Sequence, residues 1–255
     1  HCRKTRCPAS NAFRCPCALW RKGLGALNPI HWSLRWLAIG AVLLCASLKV
    51  WSETTQVLAP GYGPLKFEPP AAGSYQLPPL GSAADGAVID MNGESFPLHD
   101  LTGDKLVVMG FIYTHCPDVN GCPLASYVMK QLQLRLLAST DLKDRVRLIS
   151  LSFDPIQDTA AAMRDYSMHF RRQGFDWEFL TTKNENELQP ILEGYGQYRK
   201  MFYNEDGDYA GTMSHILRVY LIDRDRRIRN IYSAGFLHVD TVINDLRTLQ
   251  MEPNQ

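Results

Sequence analysis

The sequence predicts an α/β fold, a three-layer sandwich with a central mixed sheet. Three observations point to it. Val107–Phe111 and Leu148–Leu151 are nearly continuous apolar runs, as expected of strands covered on both faces. Leu124, Val128, Leu132 and Leu136 recur every four residues, flanked by Tyr127, Met129 and Leu137, so this helix has a wide core-facing stripe. Strand-like and helix-like segments alternate from about Ala83 to Leu249, the order of a sheet with helices on its faces.

Each element has its own local reason. Asp85–Gly86 and Asn92–Gly93 are turn signals around Ala87–Met91 and predict a short entry hairpin. Lys105–Tyr113 is a strand that leads into a helix over Pro123–Ala138. Pro123 suits the first helical position, where the missing N–H costs nothing. Next come a strand at Val146–Phe153, a helix at Thr159–Arg171, a short strand at Trp177–Thr181 and a helix at Glu185–Tyr198. Ile216–Asp223 and Arg229–Ser233 are two late strands, joined as a hairpin across Asp223–Arg227, and Val239–Leu249 is the closing helix. Between Lys183 and Tyr209, the aromatics Tyr195, Tyr198, Phe202 and Tyr203 are expected to pack inward from a helix; the alternative is a docking surface. This order is that of a thioredoxin-type sandwich, with the active loop at the C-terminal end of the first central strand.

Charge divides the chain. The net charge is +1, but residues 1–52 hold eight Lys or Arg and no acid, leaving 19 basic against 26 acidic residues in the rest. An acidic body argues against nucleic-acid binding, which needs a basic face. The basic segment 1–31 precedes an apolar region at 32–51, the pattern of a signal anchor or a signal peptide. Trp36–Leu48 alone is short for a bilayer. Trp32–Trp51 suffices if Arg35 and Lys49 snorkel and the tryptophans sit at the interfaces. Positive charge upstream predicts a body on the far side of the membrane, anchored in a bacterial inner membrane with its domain in the periplasm, or soluble there after cleavage. Residues 52–82 carry Pro60, Pro64, Pro69, Pro70, Pro78 and Pro79 and read as a linker that lets a domain at 83–251 stand off. Cys2, Cys7, Cys15 and Cys17 match no zinc spacing, and Cys45 lies in the apolar run.

That leaves Cys116 and Cys122 in the body, with His215 downstream. Two soft sulfurs on one loop and an imidazole brought in by the fold make a three-point site for a thiophilic metal. The same pair is able to cycle between dithiol and disulfide, or to form a structural bridge. Pro123 puts Cys122 at the start of the helix, where partial positive charge predicts a lowered thiol pKa. His115 is a candidate to lower that of Cys116. Thiolate character does not separate the readings. Two features do. Five residues lie between the cysteines, where dithiol oxidoreductases typically have two. His215 stands before a late strand where a thioredoxin-type enzyme carries proline. Cu(I) accepts two thiolates and an imidazole, and Cu(II) the same set with an added oxygen; zinc asks for a fourth ligand that does not stand out. Met213 offers a thioether but is expected to pack. No Arg in the motif supports a peroxidatic thiolate.

At this point a resemblance is specific. Gly110–Phe111–Ile112–Tyr113–Thr114–His115–Cys116–Pro117–Asp118–Val119, closed by Cys122–Pro123, resembles the signature of the Sco/SenC family. Ser152–Phe153–Asp154–Pro155 with Asp158–Thr159 is similar to its second motif, and Ser214–His215 with Val219–Tyr220–Leu221–Ile222–Asp223 to its third. The likeness covers residues 83–250. It implies a membrane-tethered thioredoxin-like protein that handles copper for the CuA centre of cytochrome c oxidase, through Cys116, Cys122 and His215. Asp118 and Asp154 match acidic positions near the site or facing the partner. The family's usual motif has three residues between the cysteines, so Asn120–Gly121 bears on metal geometry, reduction potential and client. The functional expectation is a copper metallochaperone without turnover chemistry. A thiol–disulfide reductase for the client's cysteines is the alternative, and a periplasmic module with a structural disulfide the third.

Overall fold

The computed structural model describes residues 62–252. The basic segment and the apolar region at 32–51 lie outside them. Among the described residues no helix is long and apolar enough to cross a membrane.

The strands are β1 (Gly81–Ser82), β2 (Ala87–Ile89), β3 (Ser95–Pro97), β4 (Leu106–Ile112), β5 (Val146–Ser152), β6 (Trp177–Leu180), β7 (Arg199–Tyr203), β8 (Tyr209–His215), β9 (Arg218–Ile222) and β10 (Arg227–Ser233). The helices are α1 (Cys122–Leu137), α2 (Ala160–Ser167), α3 (Glu185–Gly194) and α4 (Val239–Met251). The main sheet runs β1-β10-β9-β4-β5-β6, and β2–β3 and β7–β8 form separate hairpins. β4, β5 and β6 are parallel, while β9 is antiparallel to both β4 and β10. The sheet is therefore mixed, and the fold is thioredoxin-like.

Both crossovers, β4 to β5 and β5 to β6, step the same way across the sheet. Right-handed connection then places α1 and α2 on one face, where Ser126 Oγ of α1 meets Tyr166 Oη of α2 at 2.7 Å. α4 packs beside α1. On the other face Tyr195, just beyond α3, lies edge-on to Phe111 and Tyr220. The expected stripe Leu124, Val128, Leu132 and Leu136 is buried, and every residue of β4 is too.

Three helix boundaries or segments differ from expectation. α2 ends at Ser167 rather than Arg171, and Thr159 is its cap, Oγ1 accepting from the Ala162 N–H. α3 stops at Gly194, not Tyr198. Gly194 presses on Ala84 so closely that an added Cβ would lie 2.2 Å from the Ala84 Cβ, and Gly196 takes a positive φ of 58° that turns the chain away. Beyond this turn the chain forms the β7–β8 hairpin rather than more helix. Tyr195 is buried as expected, whereas Tyr198, Phe202 and Tyr203 are exposed.

Residues 62–82 do not stand off the domain as a free linker. Tyr62 Oη accepts from the Val239 N–H and its ring stacks on His238. The Gly73 N–H donates to Thr248 Oγ1, Tyr75 donates to Asp245, and Asn244 donates to the Pro70 carbonyl. β1 then pairs with β10. The segment is a strap laid along α4 and onto the sheet edge.

Candidate metal centre

The loop after β4 and the start of α1 carry the two cysteines, and the end of β8 carries His215. β4, β5 and β10 all finish at this end of the sheet, and β9 begins there, so the loops converge as thioredoxin-type topology requires. The two sulfurs and one ring nitrogen that Cys116, Cys122 and His215 offer all lie within 4.8 Å of one another. His215 Nε2 is 3.5 Å from Cys116 Sγ and 3.7 Å from Cys122 Sγ, so both sulfurs face the same nitrogen. Both cysteines are free thiols.

The two sulfurs have different surroundings. Cys122 is 1% exposed, and its sulfur accepts from the Tyr113 N–H at 3.4 Å. Burial pushes its thiol well above the ordinary value. A place at the helix start predicts the opposite; desolvation at this depth outweighs the partial charge of the helix end. Cys116 is half-buried. The hydrogen bond from Cys122 and then the one from His215 hold its thiol down to about 4. His115 is exposed, and its Nδ1 meets Thr114 Oγ1 at 2.9 Å. The pair thus shares one thiolate, seated mainly on Cys116.

Asn120–Gly121 shapes the approach of the imidazole. An added Cβ at Gly121 would lie 3.2 Å from both His215 Cε1 and the Asp118 carbonyl oxygen. A side chain here would make the ring or the loop give by a few tenths of an ångström. The Asp118 carbonyl accepts from the Gly121 N–H at 2.9 Å, and its side chain accepts from the Asn120 N–H at 3.0 Å, so the exposed Asp118 shapes the loop. The His215 ring sits against Phe153, with centroids 4.9 Å apart, and edge-on to Tyr113.

Asp154 is buried, accepting from Tyr209 Oη at 2.7 Å and from the Gln157 N–H. It ties the β7–β8 hairpin to the β5–α2 loop. The carboxylate that braces the cysteine loop is instead Asp158, which the sequence places in a motif without assigning it a role. It accepts from the Thr114 N–H at 3.1 Å, from Thr114 Oγ1 at 2.6 Å and from Ser152 Oγ at 2.6 Å. Burial raises its carboxyl above the usual range, so these donors are what hold it. Its place in that motif, one residue before the Thr159 cap, is its sequence signal.

Fold and site together define a thioredoxin-like protein carrying a Cys–Cys–His group suited to a soft metal. The profile of the SCO1/SenC family matches residues 84–250, and the chain belongs to that family. A SCO2-like protein of Rickettsia conorii is 27% identical over 140 residues, 54% of this chain and 63% of that protein. The copper-bound structure of Bradyrhizobium japonicum ScoI is 29% identical with a TM-score of 0.55, the match covering 66% of this chain and 99% of that one. A SCO1/SenC family lipoprotein of Bacillus anthracis shares the fold at 22% identity and a TM-score of 0.58, over 69% of this chain and 99% of its own. Solved relatives thus hold copper, and this chain has a donor set able to take it.

Proposed function

We propose that the protein is a copper metallochaperone that binds its cargo through Cys116, Cys122 and His215 and passes it to the CuA-bearing subunit of cytochrome c oxidase or another exported copper protein. The observation that supports this best is the convergence of both sulfurs on one imidazole nitrogen, at 3.5 and 3.7 Å. Two thiolates and an imidazole match the preference of Cu(I). Cys122 is the fixed ligand, desolvated and held by the Tyr113 N–H. Cys116 is half-exposed, so an incoming ligand from a client reaches the cargo from that side and exchange proceeds one donor at a time. In this reading residues 32–51 tether the domain to a membrane, with the domain on the exported side.

One observation favours a second role. A half-exposed thiolate beside a buried thiol is also the arrangement of an attacking and a resolving cysteine, so reduction of a client's disulfide draws on the same pair. His215 separates the two. The reduced chain is expected to bind equimolar copper, and His215→Ala to weaken Cu(II) binding while disulfide formation continues. Undiminished copper affinity in that variant, or no copper bound by the parent, would sink the metal reading.

A further inference from the structure

We propose that Arg199, anchored by Glu185, is a positioning residue that fixes the His215 imidazole for the metal; this rests on the copper reading of the site. His215 does not belong to the main sheet. It ends the separate β7–β8 hairpin, so its position is only as firm as that hairpin's attachments. In the hairpin register Arg199 is the residue directly opposite His215. Directly opposed residues of an antiparallel pair point to the same face, so the guanidinium leaves the hairpin on the side the imidazole uses.

That side faces the protein. The Arg199 side chain is only 7% exposed, and it is ion-paired with Glu185 in the first turn of α3. A charge this buried must keep its partner, and the pair therefore clamps the base of the hairpin to α3. The tip is held separately, by Tyr209 on Asp154.

A second observation concerns the unpaired atoms. His215 Nδ1, Arg199 Nη1 and Glu185 Oε1 are all buried without a hydrogen-bond partner among the described residues. They fall on His215, on its partner across the hairpin register and on that partner's ion-pair partner. Because Nε2 faces the sulfurs, Nδ1 carries the proton when the imidazole binds metal. A metal-bound histidine nearly always gives that N–H to a carboxylate, a carbonyl or a water. The acids singled out by sequence are committed elsewhere, Asp154 to Tyr209 and Asp118 to its own loop. Two donors and one acceptor left over on these linked residues are the set a buried water satisfies.

The test uses the full reduced chain, titrated with Cu(II) in the parent, Arg199→Met, Glu185→Gln, His215→Ala and the Arg199→Met/His215→Ala double variant. Arg199→Met and Glu185→Gln are expected to lose about tenfold or more in affinity and to alter the nitrogen hyperfine pattern in the EPR spectrum at saturating copper. In the His215→Ala background, Arg199→Met is expected to add nothing, because its effect passes through the imidazole. The metal-free Arg199→Met chain should show shifted His215 ring ¹⁵N resonances. If Arg199→Met does not fold, Glu185→Gln carries the same three readouts. An equal loss with and without His215, or parent-like EPR and ¹⁵N signals in a variant that merely melts lower, overturns the role. A parent that binds no copper would end the copper reading, and the ¹⁵N shifts of the metal-free chain would still decide whether Arg199 orients His215.

Discussion

Cys116 and Cys122 show how far identical side chains diverge when one is sealed and the other is half open. The folded thiol of Cys116 lies below its unfolded value of 9.0, at about 4. A group depressed in this way stabilises the fold in full above the unfolded value, and that stabilisation drains away as pH falls toward the folded one. The thermal midpoint of the reduced chain should therefore decline more steeply between those limits in the parent than in Cys116→Ser. Iodoacetamide at about pH 6 should label Cys116 well ahead of Cys122, because the thiolate is the nucleophile; peptide mapping that found Cys122 labelled first would reverse the assignment. The meeting of Cys116, Cys122 and His215 was legible in the sequence because a loop after an apolar strand and a His before a late strand have fixed places in this topology. The inequality of the sulfurs was not, since it depends on how deeply α1 sinks its first residue. Nor was the contact between Gly121 and His215, which joins positions far apart in the chain.

At the scale of elements, the central strands and α1 were legible because their burial is written as continuous or four-spaced apolar residues. The β7–β8 hairpin was not. Its aromatics Phe202 and Tyr203, like Tyr198 just before it, face solvent, so they carry no inward period, and the turn that ends α3 depends on Gly194 fitting against Ala84. The hairpin's tip hangs on one hydrogen bond, Tyr209 to Asp154 at 2.7 Å. Tyr209→Phe removes a donor from a buried carboxylate, a change that costs about 1–3 kcal/mol. Hydrogen exchange should rise across Arg199–His215 while β4 and β5 keep their protection. Faster exchange spread evenly over the main sheet would mean that the bond supports the core rather than the hairpin.

At the scale of the whole molecule, composition marked residues 52–82 as a linker, and the described residues 62–82 form a strap. Proline and glycine do not reveal what an extended segment lies against, and here it lies against α4. Tyr75 and Tyr232 both donate to the buried Asp245, and Asn230 adds a third bond at 2.9 Å. Tyr75→Phe should lower stability by about 1–3 kcal/mol, a few degrees in a domain of this size, and free the strap to proteolysis before the core. Unchanged cleavage would show that β1 and Tyr62 hold the strap alone. The strap also sets an order of events. Its bonds to α4 join residues as many as 177 positions apart, and long loops close late because their entropy is spent before the contact repays it. During synthesis the strap emerges before the main sheet and its partner helix after it. Cys116, Cys122 and His215 all precede Val239–Met251, so the three candidate donors exist on the chain before the helix that closes the domain has been made.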